Sequence, residues 1–490
     1  MPTLDRILSI TLFSLLLASV PSRVTCATKA PVPETLNRAE DGYRGIWYMN
    51  QPTKDQYVYK YSGGLGTYCA HHQPFAIYSR EARKTFFCYG GTSRESNTRL
   101  WHMVACFDHA TGRVPRPTLL LDKATDDAHD NPVLSIDPKG HIWIFSTSHG
   151  TSRPSLIHRS RRPFDVAEFE RIHPTWTWDG AKAPLDNFSY FQVWPRAEGG
   201  FQAFFTKYGA PAKRTTFFVS SDDGSRWDAP VRIGAIHEGH YQCSAVSSKK
   251  SATAFNYHPK GKGLNWRTNL YYLETRDNGR TWLTASGQPV PMPLTEPDNA
   301  ALVMDYGAQK LNVYLADIVF DTHDYPVITF VTSLGFEPGP KSEPRVTRAA
   351  RWTGRRWEIR DIGPADHNYD MGSLFIEAAK DGDGETWRYI GPTEPGPQPW
   401  SCGGEISLLE SGDQGASWKR IRAVTAASEH NHNYVRRPIN AHPDFYALWA
   451  DGNPLKPSKS KLYFCNRDGK AFVLPEIMTS DWQAPEPAAP

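Results

Sequence analysis

One eight-residue pattern, S/T-x-D-x-G-x-x-W, recurs at Ser220–Trp227, Thr275–Trp282 and Ser411–Trp418, and it limits the possible folds more than any other feature of the chain. In each copy the Asp side chain is positioned to accept hydrogen bonds from its own turn, the Gly to take a positive φ, and the Trp to fold back over a hairpin. A β-rich run precedes every copy: Thr215–Val219, Asn269–Leu273 and Ile406–Leu409. Two weaker copies, Gly354–Trp357 and Gly384–Trp387, keep only Gly-x-x-Trp. Repeated corners of this kind close the outer hairpins of successive sheets and are structural rather than catalytic.

The rest of the chain keeps the same rhythm of strand, turn and strand. His141–Ser146, Phe201–Phe205 and Tyr325–Val331 are further β-rich runs, and 37 Gly and 39 Pro supply the turns between short strands. The expectation is an all-β fold, a β-propeller of four-stranded antiparallel sheets. A chain of 490 residues exceeds one ordinary hydrophobic core, but each blade of a propeller buries its faces against its neighbours. At roughly 60 to 70 residues per blade the count is about seven. No linker divides the chain, so residues 28–490 read as a single propeller domain.

Residues 1–27 read as a secretory signal peptide: Arg6 precedes the apolar run Ile7–Val20, with small residues near Ala27. The run is too short for a membrane span and is followed by Arg23 and Lys29. A secreted or periplasmic protein, monomeric and not bound to membrane, is therefore expected. The formal charge of +3 is close to balance and gives no support for nucleic-acid binding. Cys69, Cys88, Cys106, Cys243, Cys402 and Cys465 remain after cleavage, an even set open to one or two disulfides or to simple burial. They contain no C-x-x-C spacing, so no thiol-based zinc knuckle is visible.

Three consecutive hairpins carry polar residues at equivalent places. His129, just before Asn131, opens one inner strand and His149 closes the next; Tyr190 and the pair Lys207 and Tyr208 repeat the plan, and Tyr241 and His258 repeat it again. A hairpin returns both of its ends to one rim, so these side chains are candidates for a common site. Two other clusters, His367–Asp370 and His430–Asn433, either line the same canyon or, for His430 and His432, hold a structural metal.

The runs Gly42–Trp47 and Tyr59–Tyr68, the His129 and His149 pair and the Asp-containing turns together resemble the BNR-repeat (Asp-box) family that includes the seven-bladed ulvan lyases of polysaccharide lyase families 24 and 25. The likeness by motif runs from about Tyr43 to at least Trp282. It implies that His129, His149, Tyr190 and Tyr241 surround a uronate; Tyr208, His258 and Asn131, beside them in the sequence plan, are expected as further substrate contacts. Where that family shows Arg on the strand after the Tyr, this chain has Lys207, a point charge that cannot clamp a carboxylate bidentately.

The reaction so implied is β-elimination. Loss of the proton at carbon 5 of a uronate places negative charge on its carboxylate, to be met by Lys207 with His149 or Tyr241. His129 and Tyr190 divide the roles of acid and base. A Tyr beside Lys207 would be easier to ionise. No metal or redox cofactor is required, and the partner is an acidic polysaccharide. Two other readings stay open: a sialidase-like hydrolase, for which Arg44, Arg436 and Arg437 are possible carboxylate ligands, and a carbohydrate-binding propeller without chemistry.

Overall fold

The computed structural model describes residues 31–488, apart from 197, 210–212, 380–381 and 383; the signal-peptide segment lies outside the described residues. Strands built from the runs above form antiparallel sheets that follow one another in chain order, the arrangement of a β-propeller. The first sheet holds Ala76–Ser79, Lys84–Gly91, Trp101–Asp108 and Thr118–Asp122, with the short Arg38–Ala39 added at its outer edge. Four four-stranded sheets come next, beginning with the inner strands Pro132–Ile136, Ser189–Pro195, Gln242–Val246 and Asn312–Phe320. The last sheet has nine strands and consists of two meanders, starting at Ser373–Ala378 and Asn431–Arg436, joined by the single pairing of Gly404 with His432.

Aromatic and aliphatic side chains fill the spaces between sheets. Trp143 and Phe145 of the second sheet pack on Phe191, Phe201 and Phe205 of the third, each such ring contributing about 1.5–3 kcal/mol by burial. The C-terminal meander returns to the start of the chain: Phe445 stacks on Phe87 at 5.5 Å, and Phe464 lies 5.3 Å from Phe107. Backbone bonds between Ala76, Tyr78 and Ile439 close the same seam.

The Asp-containing turns lie before the outermost strands, as their sequence implies. Asp277 accepts from the Thr281 amide and hydroxyl at 2.9 and 2.6 Å, and Asp413 does the same with Ser417. Their glycines, Gly279 and Gly415, have φ of +85° and +83°. The first copy departs from this register. Asp223 and not Asp222 accepts the turn amides, from Ser225 and Arg226, while Asp222 points outward to Arg196. Gly384–Trp387 is not an outer corner, because Trp387 sits on the second strand of its meander.

The six described cysteines are all buried and unpaired, which makes them small core hydrophobes rather than a disulfide framework. Among the described residues no helix is long and apolar enough to cross a membrane.

Candidate active site

The starts of the inner strands and the ends of the second strands meet at one end of the sheets and enclose a cavity of about 140 Å³, several times the space one water needs. His129 comes from the short 3₁₀ turn Ala128–Asp130, and His149 from the segment after Ile142–Ser146. Tyr190 opens Ser189–Pro195, Tyr208 follows Phe201–Lys207, and Tyr241 immediately precedes Gln242–Val246. The hairpin Trp47–Pro52 and Tyr59–Gly64 roofs one side with Tyr61, and Tyr68 follows it.

Two of the cavity tyrosines owe their direction to irregular backbone. Tyr190 and Tyr434 have φ of +50° and +52°, a region bulky residues seldom occupy. Each lies within a register shift of its strand pair, between Ser189 and Gln192 and between Asn433 and Arg436. A bulge of this kind turns a side chain out of the regular alternation, and both rings enter the cavity as a result.

The Asp127 carboxylate holds two imidazoles side by side. His129 Nδ1–H donates to Asp127 Oδ1 at 2.5 Å and His149 Nδ1–H to Oδ2 at 2.8 Å. The rings stack 4.2 Å apart. Arg153 bridges Asp127 Oδ2 and Asp130, and Asp130 also takes the His149 amide at 2.7 Å. Burial alone would raise the Asp127 carboxyl, but the two histidines bonded to it hold it well below the usual carboxylate range. Burial and the neighbouring His149 push His129 below the ordinary imidazole value of 6.5, favouring its neutral form. His129 Nε2 accepts from the Tyr68 hydroxyl at 2.7 Å, and the Tyr61 hydroxyl, 2.9 Å from the same nitrogen, is hydrogen-bonded to that of Tyr68 at 2.8 Å. No hydrogen bond falls on His149 Nε2 among the described residues, so its lone pair is uncommitted. Asp127, His129 and His149 each also offer a ligand-type atom within 4.8 Å of the others.

Across the cavity stands a cationic wall. The Arg267 guanidinium lies between the rings of Tyr241 and Tyr314, at 4.3 and 4.2 Å, and donates to the Tyr369 hydroxyl at 2.8 Å. Arg214 lies 5.6 Å from the Tyr241 ring centroid, and Lys60 lies 5.7 and 5.6 Å from those of Tyr61 and Tyr369, where burial and the neighbouring Arg267 push its ammonium pKa down. His71 stacks on Tyr241 at 4.8 Å. None of Lys60, Arg214 and Arg267 forms an ion pair among the described residues, and no Asp or Glu lines the cavity with them. Such a wall attracts an anion.

His129, His149, Tyr190, Tyr208 and Tyr241 are therefore brought together as their sequence positions imply. Three other candidates are not among the lining residues. Lys207 carries its ammonium 5.2 and 5.0 Å from the ring centroids of Trp176 and Trp178, on a separate hairpin. Asn131 is buried and its amide donates to the carbonyls of Leu65 and Tyr68 at 2.9 and 2.8 Å, so it fixes the loop carrying Tyr68. His258 is buried behind Tyr241, ring to ring at 5.0 Å. Without Lys207 beside it, Tyr190 is not made easier to ionise; burial raises its hydroxyl well above the ordinary value.

Of the two open clusters, only Tyr369 is among the cavity-lining residues; Tyr434, just after the second cluster, also reaches it. His432 is committed elsewhere, accepting from Trp449 Nε1 and donating to Ser428 Oγ, both at 3.0 Å, which leaves no lone pair for a metal. Arg44, Arg436 and Arg437 do not converge. They bond respectively to Asp41, to the His72 carbonyl and to Asp317. Arg267, Arg214, Lys60, His71 and Asp127 are functional candidates the sequence reading missed. Asp127 stood two residues from His129, but nothing local marks Arg267.

Buried neutral histidines also set the acid behaviour of the fold. Burial pushes His71, His158 and His367 down to about 3 and His240 down to about 4. Below 6.5 the unfolded chain binds protons that these sites refuse, so stability rises with pH across that window and is lost as pH falls toward 4. Thermal unfolding followed from pH 7 down to pH 4 should show a continuous fall in Tm beginning near pH 6; a flat profile to pH 5 would contradict this.

Sheets in propeller order, Asp-box corners, and a site gathered from the rim ends of many sheets define the class: a β-propeller with a composite pocket lined by histidines, tyrosines and basic side chains. The chain belongs to the BNR repeat-containing family, whose model matches residues 91–364. No curated protein sequence matches it. Among solved structures it is similar to an ulvan lyase of polysaccharide lyase family 25, at 18% identity and a TM-score of 0.65, covering 88% of this chain and 96% of that one. The structure of an ulvan lyase of that family bound to -[GlcA(1-4)Rha3S]- aligns at 16% identity and 0.63, with the same coverage. The polysaccharide lyase Uly1 aligns at 12% and 0.58, covering 88% and 99%.

Proposed function

We propose that this chain is an exported polysaccharide lyase, a single seven-bladed propeller domain, that cleaves a sulfated uronate polysaccharide by β-elimination. The blade count takes the five separate propeller sheets and the two meanders of the nine-stranded sheet as one blade each. The observation that carries the reading is the pairing of an Asp-held imidazole pair with two guanidiniums, Arg214 and Arg267, that form no ion pair among the described residues, around one tyrosine-walled cavity. The glucuronate and rhamnose sulfate bound by the similar ulvan lyase supply the substrate class.

In this reading the uronate carboxylate sits against Arg267, with Tyr241 and His71 beside it, and the charge that develops on loss of the carbon 5 proton is met there. The proton goes to the imidazole pair, in which His149 Nε2 has the open lone pair. The electron pair of the C5–H bond forms a C4–C5 double bond, the bond from carbon 4 to the glycosidic oxygen breaks, and that oxygen takes the Tyr190 proton. Tyr190 suits the acid role because burial keeps it protonated. A hydrolase with paired carboxylates finds no pair among the cavity-lining residues.

The test is incubation with a polymer of glucuronate and rhamnose 3-sulfate and with a panel of other uronate polysaccharides. New reducing ends should appear in step with the ultraviolet absorbance of an unsaturated uronate. Reducing ends without that absorbance, or binding without cleavage, would overturn the proposal.

A further inference from the structure

A second cluster lies far from the cavity, on the seam where the C-terminal meander meets the first sheet. His109 follows Trp101–Asp108 of that sheet, while His442 and Asp444 belong to the segment leading into Ala447–Gly452. The two imidazoles are 3.9 Å apart between ring centroids. Asp444 Oδ2 is 3.6 Å from His442 Nδ1 and 3.9 Å from His109 Nδ1, and each of the three residues offers a ligand atom within 4.8 Å of the others.

One tautomer of each ring leaves an Nδ1 lone pair on the Asp444 side. His109 Nε2 is 2.9 Å from Thr85 Oγ1, and the tautomer that donates there turns the Nδ1 lone pair toward Asp444. That Nδ1 has no hydrogen-bond partner among the described residues although its side chain is only 4% exposed. The Asp444 amide lies 3.2 Å from His442 Nδ1, so this ring carries its proton on Nε2, and its Nδ1 lone pair, 3.6 Å from Asp444 Oδ2, is the one a cation would draw on. An inward-facing imidazole lone pair, a second imidazole and a carboxylate form an acceptor set that a cation completes. A hydroxyl on the far nitrogen of His109 is the outer contact that orients metal-binding histidines.

We propose that His109, His442 and Asp444 bind a divalent transition metal of the zinc type, with solvent in the remaining position, and that the ion pins the C-terminal meander to the first sheet. Two imidazoles and one carboxylate suit zinc or its neighbours rather than calcium, which takes oxygen ligands.

The test is calorimetric titration of zinc chloride into chelator-treated full-length protein, with thermal unfolding read in parallel. The wild type should bind one equivalent in a manner lost on H442A/D444N, whose sites are partly exposed, and weakened roughly 10–100-fold by T85V. Zinc should raise Tm in the wild type and leave that of the double variant unchanged. H149N, altered at the other cluster, should bind and respond as the wild type does. Equal binding by H442A/D444N, or loss of binding in H149N instead, would overturn the assignment.

Discussion

Replacing His149 by Asn or Tyr190 by Phe should lower kcat on a glucuronate and rhamnose-sulfate polymer by about 10²–10⁴-fold, the range that a positioned acid or base supplies. The absorbance of the unsaturated product measures it directly. Asn at 149 keeps the volume near that of the ring but offers no basic nitrogen. Phe at 190 removes only a hydroxyl that has no well-formed hydrogen bond in the structure, so Tm should hold while the rate falls. His129→Asn should cost a comparable factor by a longer route. Its ring joins Asp127 to the Tyr61 and Tyr68 hydroxyls, and its loss frees His149 to turn. Asp127→Asn should also be severe, since its one carbonyl oxygen can accept from only one of the two Nδ1–H groups and its NH2 opposes the other. Activity within a few-fold of wild type in both H149N and Y190F would overturn the division of roles.

Arg267→Ala should cost about 10²–10³-fold in kcat/KM, the loss expected when a donor facing developing negative charge is removed. Arg267→Lys should recover little of it. A guanidinium can contact both Tyr241 and Tyr314 and still present donors at its edge, whereas an ammonium is a point charge that cannot do both. Lys207→Ala is the informative contrast. Its charge rests on the indoles of Trp176 and Trp178, so its removal should change kcat/KM by no more than about twofold. The reverse ranking, with Lys207 dominant, would restore the position that its place in sequence suggests. Rates for the three variants on one substrate, alongside their Tm values, decide the matter.

The contrast between Lys207 and Arg267 shows where sequence reasoning stops. Side chains alternate across a strand, so Lys207 and Tyr208, adjacent in the chain, face different surroundings at the strand end. Tyr208 falls into the cavity and Lys207 onto the inserted hairpin Thr175–Trp178 and Ala181–Pro184. That hairpin is remote in sequence and nothing near residue 207 announces it. Asn131 and His258 follow the same logic. Both occupy the right rim, but the first is drawn inward by the Leu65 and Tyr68 carbonyls and the second is covered by Tyr241.

The sequence by itself determined the all-β class, the outer corners and the rim on which a site would form. Those features depend on local chemistry: Asp and Gly in turns of fixed spacing, and hairpins that return their ends to one side. It also placed His129, His149, Tyr190 and Tyr241 together, because they recur at the hairpin period. Only the tertiary structure decided which cations face the imidazoles. Lys60, Arg214 and Arg267 meet there because sheets far apart in the chain converge at one end. The bulges at Tyr190 and Tyr434, set by pairing with neighbouring strands, decided which rings close the cavity between them.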